Sequence, residues 1–326
     1  MSRIKNIIAV LSVVIGTIGS INVYGAENYP SRPIRLIIPF GAGGGSDFMG
    51  RLIAQKLSEQ FGQSILAENR PGAAGLIGTQ ISARATPDGY TLLLADSGFT
   101  INAAFFKDPK YNALKDFDPV SVIAETPFLL VVNPGLPYAA NLKDFIAAAK
   151  AQPTKLTIGS AGSGSGSHMT GELFRLHAGV NMTHVPYKSA APALLDVVTG
   201  QTHSTIATAI VTLPLVKAGR LKILGVAAAH RSKLLPNVPT LAEGGVADVN
   251  VSNWYGILAP AGTPRPVINR LHDEMMRAIS TPDMRDRLAQ SALEPTPNTP
   301  EVFRKMIENE VQRWTRVVTD AGIPQE

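Results

Sequence analysis

The sequence predicts an α/β fold built as two lobes that close on a cleft between them. After Tyr29, short apolar runs alternate with amphipathic segments, which is the pattern of β-α-β units with a mostly parallel sheet. The roughly 300 residues that follow the N-terminal segment exceed what a single hydrophobic core usually supports. Two long apolar stretches, residues 120–133 and 249–260, flank the second half of this alternation. We interpret them as strands that cross between the lobes and form a hinge.

Residues 1–25 have the pattern of a signal peptide. Arg3 and Lys5 give a basic start, residues 7–18 form an apolar run, and Val23 and Gly25 lie where a signal peptidase reads the chain. The apolar run is shorter than the ~20 residues of a membrane-spanning helix, which disfavours the alternative of an uncleaved anchor. We therefore predict export, with cleavage close to residue 26.

The composition excludes several classes of protein. The chain has no cysteine, so thiolate metal sites and a cysteine nucleophile are excluded. Its formal net charge is +5, of which Arg3 and Lys5 contribute two, and the basic residues do not cluster as they do on nucleic-acid-binding surfaces. With 45% hydrophobic and 17% charged residues, the chain is predicted to fold.

Lobe one is predicted to begin with a strand, helix, strand, helix and strand. The first strand is a compact apolar run that ends at glycine, and the first helix carries an apolar stripe that ends at Gly62. These five elements are residues 34–40, 47–61, 64–68, 75–84 and 90–95.

Lobe two repeats the alternation, and the C-terminal third is mainly helical. The predicted elements of lobe two are residues 128–132, 142–151, 155–159, 167–178, 182–185, 190–199 and 221–227. The C-terminal helices are residues 266–279, 282–291 and 300–321, each with proline in its first turn. We therefore predict that residues 26–127 and 252–326 form lobe one and that residues 128–251 form lobe two.

Two glycine-rich loops separate a predicted strand from a predicted helix. We call residues 41–47 the first glycine loop and residues 159–168 the second glycine loop. Glycine lets a ligand approach the backbone, and the free N–H groups at the start of the following helix favour an anion. One such loop in each lobe predicts two anion-binding loops that face one cleft. The alternative is that these glycines only form tight turns.

The first glycine loop also suggests a dinucleotide site, with Glu68 as the acidic residue. The G-x-G-x-x-G pattern would need glycine at Ser46, however, and a turn follows Glu68 directly. Asp47 is interpreted as the N-cap of its helix rather than as a ligand group, because a carboxylate would repel an anion.

The second glycine loop suggests a serine hydrolase acting on a small ester or amide. Ser163, Ser165 and Ser167 precede His168, but a nucleophile elbow needs serine at the centre of G-x-S-x-G, where this chain has Gly164. His168 is interpreted as a first-turn helix residue that either donates to a ligand or contacts the cap region. The alternative is a surface histidine whose hydrogen bonds are satisfied without a ligand. The six histidines show no helical i, i+4 pair, so no metal site is predicted.

Several motifs resemble the Bug/TctC family of solute-binding receptors across essentially the whole predicted mature chain. These are Tyr29-Pro30-Ser31-Arg32-Pro33-Ile34, Pro39-Phe40 with Gly43-Gly44 and Asp47, Glu68-Asn69-Arg70-Pro71-Gly72-Ala73 with Gly75, Pro87-Asp88-Gly89-Tyr90-Thr91-Leu92, Gly159-Ser160-Ala161-Gly162, His184-Val185-Pro186-Tyr187-Lys188, Leu235-Pro236 with Val238-Pro239-Thr240, Trp254-Tyr255-Gly256 and Pro260-Ala261-Gly262-Thr263-Pro264.

The resemblance implies a periplasmic-binding-protein fold and a monomeric, non-catalytic receptor without cofactor or metal. It implies a small carboxylate ligand and delivery of that ligand to the membrane subunits of a tripartite tricarboxylate transporter. The ligand-binding residues that it implies are Phe40, Gly43, Gly44, Gly45, Ser46, Ser97, Thr100, Ser160, Ala161, Gly162, Gly164, Ser165, His168, Tyr187 and Thr208.

One region departs from the family pattern. Many relatives have an acidic residue and a proline where this chain has Ala207 and Ile210. Loss of a carboxylate at the cleft removes an acceptor for a ligand amine, which favours a dicarboxylate, with an apolar or aromatic body as one option, over an amino acid. The alternative is that lobe two is simply repacked here.

Overall fold

The computed structural model describes residues 29–232 and 235–325. The predicted signal peptide lies outside the described residues. In the described part of the chain, no helix combines the length and apolarity that a membrane span needs.

Helices and strands alternate through the chain, as predicted. The first elements are β1 Ile34–Ile38, α1 Gly45–Phe61, β2 Ile65–Asn69, α2 Leu76–Ala83, β3 Thr91–Asp96 and α3 Ser97–Phe105. They are followed by β4 Phe117–Val132, α4 Leu142–Ala151, β5 Thr157–Ser160, α5 Gly166–Ala178, β6 Thr183–Pro186, α6 Ala190–Thr199, β7 Ser204–Thr208, α7 Ala209–Lys217 and β8 Lys222–Val226. The last elements are β9 Ser252–Pro260, α8 Arg265–Ser280, α9 Pro282–Gln290, β10 Glu294–Pro295 and α10 Pro300–Asp320.

Three substantial elements, α3, β7 and α7, were not predicted. Every residue of β7 is buried, and so is every residue of α3 except one. A helix that is buried on every side shows no amphipathic stripe in its sequence. Helix α7 contains Pro214 and several β-branched residues, which argue against a helix in sequence. Both helices form because tertiary packing outweighs local propensity.

Strand β4 joins the two halves of the sheet. Its first eleven residues, up to Pro127, pair with β9, and its last five, from Phe128, pair with β7 and β8. On one side of β4 the order is β2-β1-β3-β9, and on the other it is β7-β5-β6. The predicted long strand at residues 120–133 is therefore a single strand that runs through both halves. The chain is an α/β protein of the two-lobed type.

Separate cores lie on the two sides of this crossing. One half packs α1, α8 and α9 against β1 and β3, while the other packs α4 and α5 against β4 and β5. Helix α10 contributes to both halves, because Phe303 packs with the first half and Trp314 with the second. The lobe boundaries given above remain a prediction, and α10 is a helix that bridges them.

Candidate ligand-binding site

A small cavity lies between the two halves of the sheet. Its volume is about 40 Å³, which is room for roughly three water molecules. The sixteen residues that line it are Phe40, Gly44, Gly45, Ser46, Asp96, Phe128, Ala161, Ser165, Gly166, Ser167, Ser189, Ala190, Ala207, Thr208, Asn253 and Tyr255.

Five helices begin at this cavity. The N-cap residues of α1, α3, α5, α6 and α7 all line it, and they are Gly44, Asp96, Ser165, Ser189 and Thr208. A helix N-terminus carries a partial positive charge and unpaired N–H groups. Their convergence therefore makes the cavity favourable for an anion, although none of the lining residues is Lys, Arg or His.

The five helix ends differ in how they are capped. Ser165 Oγ accepts from the N–H of His168, and Asp96 Oδ1 accepts from the N–H of Gly98. The N-caps of α1, α6 and α7 make no such bond. The hydroxyl of Thr208 is buried and has no hydrogen-bond partner of good geometry in the described part of the chain. The caps of α3 and α5 each occupy one of the first N–H groups of the helix, whereas the N-caps of α1, α6 and α7 occupy none.

The first glycine loop enters α1 two residues earlier than predicted. Asp47 is not the N-cap, as the sequence suggested, because that position belongs to Gly44. Instead, Asp47 Oδ2 accepts from the N–H of Gly43 at 3.0 Å, and its Oδ1 pairs with Arg51 and Asn69. The carboxylate therefore fixes the loop from outside the cavity.

The first helical residues of α1 and α5 are glycines because each contacts the opposite half of the molecule. A Cβ on Gly45 would lie 2.4 Å from Tyr255 Oη and 2.9 Å from Thr208 Oγ1. A Cβ on Gly166 would lie 2.4 Å from Ser97 Oγ. A side chain at Gly166 would press on Ser97 in the other half, and one at Gly45 would press on Thr208 in the other half and on Tyr255 in its own.

The backbone of the second glycine loop is bonded to side chains of the same segment. The N–H of Ala161 donates to Ser167 Oγ, that of Gly162 to Ser160 Oγ, and that of Gly164 to His168 Nδ1, at 2.9, 3.1 and 3.0 Å. These N–H groups are therefore occupied in this structure rather than directed at a ligand.

The histidines near the second loop contact the loop and each other. His168 accepts from Gly164 and stacks on His184, with ring centroids 4.1 Å apart. His184 Nε2 lies 2.6 Å from Ser160 Oγ. Burial, with a smaller contribution from His168, lowers the pKa of His184 to about 4, so this ring is neutral at neutral pH. His168 makes the cap-region contact in this structure, and its ligand contact remains a prediction.

Asp96 is the acidic group of the cavity. Burial raises its pKa to about 6, although hydrogen bonds from Ser46 and Gly98 favour the ionised form. Burial, and the nearby Asp96 to a lesser extent, also raises the pKa of the Tyr255 phenol, which therefore stays neutral.

Seven of the fifteen predicted site residues line the cavity. These are Phe40, Gly44, Gly45, Ser46, Ala161, Ser165 and Thr208. The other eight do not line it: Gly43, Ser97, Thr100, Ser160, Gly162, Gly164, His168 and Tyr187. Ser97, for example, donates to Asn253, and Tyr187 donates to Asp196. The ligand contacts of all fifteen remain predictions.

Nine lining residues were not among the predicted ligand contacts, although Ala207 was placed at the cleft. They are Asp96, Phe128, Gly166, Ser167, Ser189, Ala190, Ala207, Asn253 and Tyr255. Asp96 and Ser189 carried a usable signal, since each is a capping residue type directly before a helix. Asn253 and Tyr255 lie within β9, and only the pairing of that strand brings them to the cavity.

Three solved structures closely match this architecture. The chain has a TM-score of 0.88 and 31% identity with the periplasmic binding protein BugD, covering 91% of this chain and 100% of that one. It has a TM-score of 0.87 and 35% identity with Rpa4515 from R. palustris with adipate, covering 91% and 99%. It has a TM-score of 0.85 and 32% identity with MatC from Rhodopseudomonas palustris with bound malate, covering 89% and 100%.

A family model agrees with these structures. Residues 49–323 match the tripartite tricarboxylate transporter family receptor. The members of this family are solute-binding receptors rather than enzymes. The chain therefore belongs to the TctC, or Bug, family of solute-binding receptors.

Proposed function

We propose that this protein captures a small dicarboxylate between its two lobes and delivers it to the membrane subunits of a tripartite tricarboxylate transporter. The observation that carries the proposal is the convergence of five helix N-termini on one cavity. The adipate and malate in the two structures named above support the same class of ligand.

The ligand carboxylate is held at the ends of α1, α6 and α7, which lack side-chain caps. Helix α1 belongs to the predicted lobe one, whereas α6 and α7 belong to lobe two. Only the closed form lets one carboxylate contact both sets of N–H groups. Binding therefore shifts the population toward closure, and the transporter can distinguish a loaded receptor by its shape.

A thermal-shift screen followed by calorimetry tests the ligand class. Malate and adipate are compared with their diamides, which have nearly the same shape but no charge. A ligand at about a hundred times its Kd adds about 2.7 kcal/mol of stability. We expect at least one dicarboxylate to raise Tm by several degrees and the diamides to have no effect. Equal binding of acids and amides, or no binding by any dicarboxylate, contradicts the proposal.

The proposed location is the periplasm, after removal of residues 1–25, with the receptor as a monomer. Intact-mass analysis of the periplasmic fraction should give a chain that begins near Ala26 or Glu27. A chain that retains Met1 contradicts export. Delivery is tested by malate uptake into vesicles that contain the membrane subunits, which should require added receptor.

A further inference from the structure

Asp96 places a carboxyl group in a cavity whose other polar groups are uncharged. It ends β3, caps α3 and is 8% exposed. Its Oδ2 accepts from Ser46 Oγ at 2.8 Å, and its Oδ1 accepts from the N–H of Gly98 at 2.9 Å. A carboxyl group has about four acceptor positions, so two donors leave capacity for a ligand.

The elements packed around Asp96 present no cation to it within the described chain. Helix α1 contributes the Ser46 hydroxyl, while the adjacent Asp47 is paired with Arg51 outside the cavity. Strand β9 contributes Tyr255, the register partner of Asp96. Burial raises the pKa of this phenol and of the nearby Tyr111, so both are neutral.

The residues that face Asp96 from the other half of the molecule are also uncharged. Phe128, Ser165 and Ser167 line the same cavity. The ring of His168 is directed at Gly164 and toward Glu172, and it does not line the cavity. A ligand carboxylate in this cavity would therefore lie near the Asp96 carboxyl group with no side-chain cation between them.

We propose that Asp96 binds the ligand as a neutral carboxylic acid that donates a hydrogen bond to a ligand oxygen, so that capture of a dicarboxylate takes up one proton from solution. This inference rests on the proposed function. The carboxyl groups of Asp96 and of the ligand cannot both be ionised in one buried site without a large free-energy penalty. Protonation of Asp96 removes their repulsion. The helix N-termini stabilise the charge that remains on the ligand.

The shift that this requires is small, because Asp96 already holds its proton more tightly than an ordinary carboxyl group. Burial places its pKa at about 6 before the ligand charge acts on it. A bound carboxylate raises that pKa further. Above pH 6, each pH unit then lowers the apparent affinity about tenfold, since the proton must be acquired with the ligand.

The competing possibility is that an ionised Asp96 binds a ligand ammonium group. The two possibilities differ in selectivity as well as in pH dependence. A neutral acid donates to a ligand hydroxyl or carboxylate oxygen, whereas an ammonium group has only donors to offer. Malate and L-aspartate, which differ by a hydroxyl in place of an ammonium group, therefore separate them. The five positive helix ends disfavour a ligand ammonium group.

The experiment measures malate and L-aspartate binding to the mature full-length protein by calorimetry from about pH 6.5 to pH 8.5, where the ligand carboxyl groups stay ionised. Titrations in two buffers of different ionisation enthalpy count the protons taken up. We expect malate affinity to fall by nearly tenfold per pH unit at the upper end, with close to one proton taken up. L-Aspartate should bind at least about tenfold more weakly than malate.

Asp96→Asn is the diagnostic variant. Asparagine keeps an N-cap acceptor for α3 and supplies a permanent donor. Its malate affinity should be independent of pH and should exceed that of the parent at pH 8.5 by at least about tenfold. Glu274→Gln is the matched control, because Glu274 is also buried but is paired with Arg270 and Arg277 away from the cavity. It should keep the pH slope of the parent.

Three results overturn the inference. A malate affinity that does not change with pH, with no proton uptake, means that binding does not protonate Asp96. A preference for L-aspartate that Asp96→Asn abolishes means that an ionised Asp96 holds an ammonium group. A pH slope that survives in Asp96→Asn assigns the proton uptake to a group other than Asp96. Failure of malate, adipate and every other dicarboxylate to bind at any pH is a different outcome, since it overturns the proposed function itself.

Discussion

The two glycine loops look alike in sequence but use their backbone N–H groups differently. Helix α1, after the first loop, has an N-cap glycine without a side-chain cap. Helix α5, after the second loop, is capped by Ser165, and the loop before it bonds to Ser160, Ser167 and His168. The comparison teaches that a glycine-rich loop offers donors to a ligand only where no neighbouring side chain accepts from them first.

The loops also differ in the ionisable group beside them. Ser46, after the first loop, donates to Asp96, whose pKa is raised to about 6. Ser160, in the second loop, contacts His184, whose pKa is lowered to about 4. Both shifts come mainly from burial, which disfavours the charged form of either group. The first loop therefore adjoins a titratable group in the cavity, and the second adjoins one outside it.

The largest effect is expected from a methyl group at Gly45. Its Cβ would overlap Tyr255 and Thr208, so Gly45→Ala should prevent full closure and reduce malate affinity by at least about tenfold. Gly171→Ala is the control, since its Cβ would lie 3.5 Å from Ile158, an ordinary contact, and Gly171 does not line the cavity. It should bind within about threefold of the parent in calorimetry. Equal affinities of the two variants would mean that the cavity walls are not a closure contact.

A second substitution makes the first loop resemble the second. Gly44→Ser places a hydroxyl at an N-cap with extended backbone, φ −86° and ψ 172°. The hydroxyl should accept from the first turn of α1, raise stability by about 0.5–1 kcal/mol and compete with the ligand. We expect malate affinity to fall by about fivefold to tenfold while Tm rises slightly. Unchanged affinity would remove α1 from the proposed set of donors, and Gly44→Ala, which adds a Cβ without a hydroxyl, serves as the control for this substitution.

The reverse change in the second loop should affect stability rather than binding. Ser165→Ala removes the cap of α5 and should cost about 1 kcal/mol, or a decrease in Tm of about 2–4 °C. Malate affinity should remain within about threefold of the parent, because the Ser165 hydroxyl is already used within the protein. Thr299→Ala removes the equivalent cap of α10, far from the cavity, and should cost a similar amount. A selective loss of affinity in Ser165→Ala would restore the second loop as a ligand contact.

The smallest effect concerns acid stability. Burial lowers the pKa of His184 in the folded protein. Its contribution to the free energy of unfolding is therefore complete above about pH 6.5 and declines as the pH falls toward 4. Asp96 acts with the opposite sign, because its raised pKa favours the folded state as the pH falls through about 6. In denaturant titrations at pH 7.5 and 5, His184→Gln should therefore lose less stability on acidification than the parent. An equal loss would mean that His184 is not buried as neutral imidazole.

Much of the fold could be predicted from local sequence, whereas the cavity could be predicted only in part. Helices α4 and α6 have the predicted bounds, because each combines an amphipathic stripe with a residue that favours an N-cap directly before it. Helix α3 was missed because its surface is almost fully buried, so its sequence has no polar face. Its N-cap, Asp96, was missed with it.

By itself, the sequence determined the alternation of strands and helices, the long crossing strand, the family and the two glycine loops. These depend on local patterns: apolar periodicity, residue types at helix ends and short motifs. Only the tertiary structure decided which N–H groups remain unpaired and which side chains meet at the cavity. Asp96 and Tyr255 are far apart in sequence and adjacent because β3 pairs with β9. The physical reason is that a ligand site requires groups from several elements to converge, and that convergence depends on long-range pairing that local sequence does not encode.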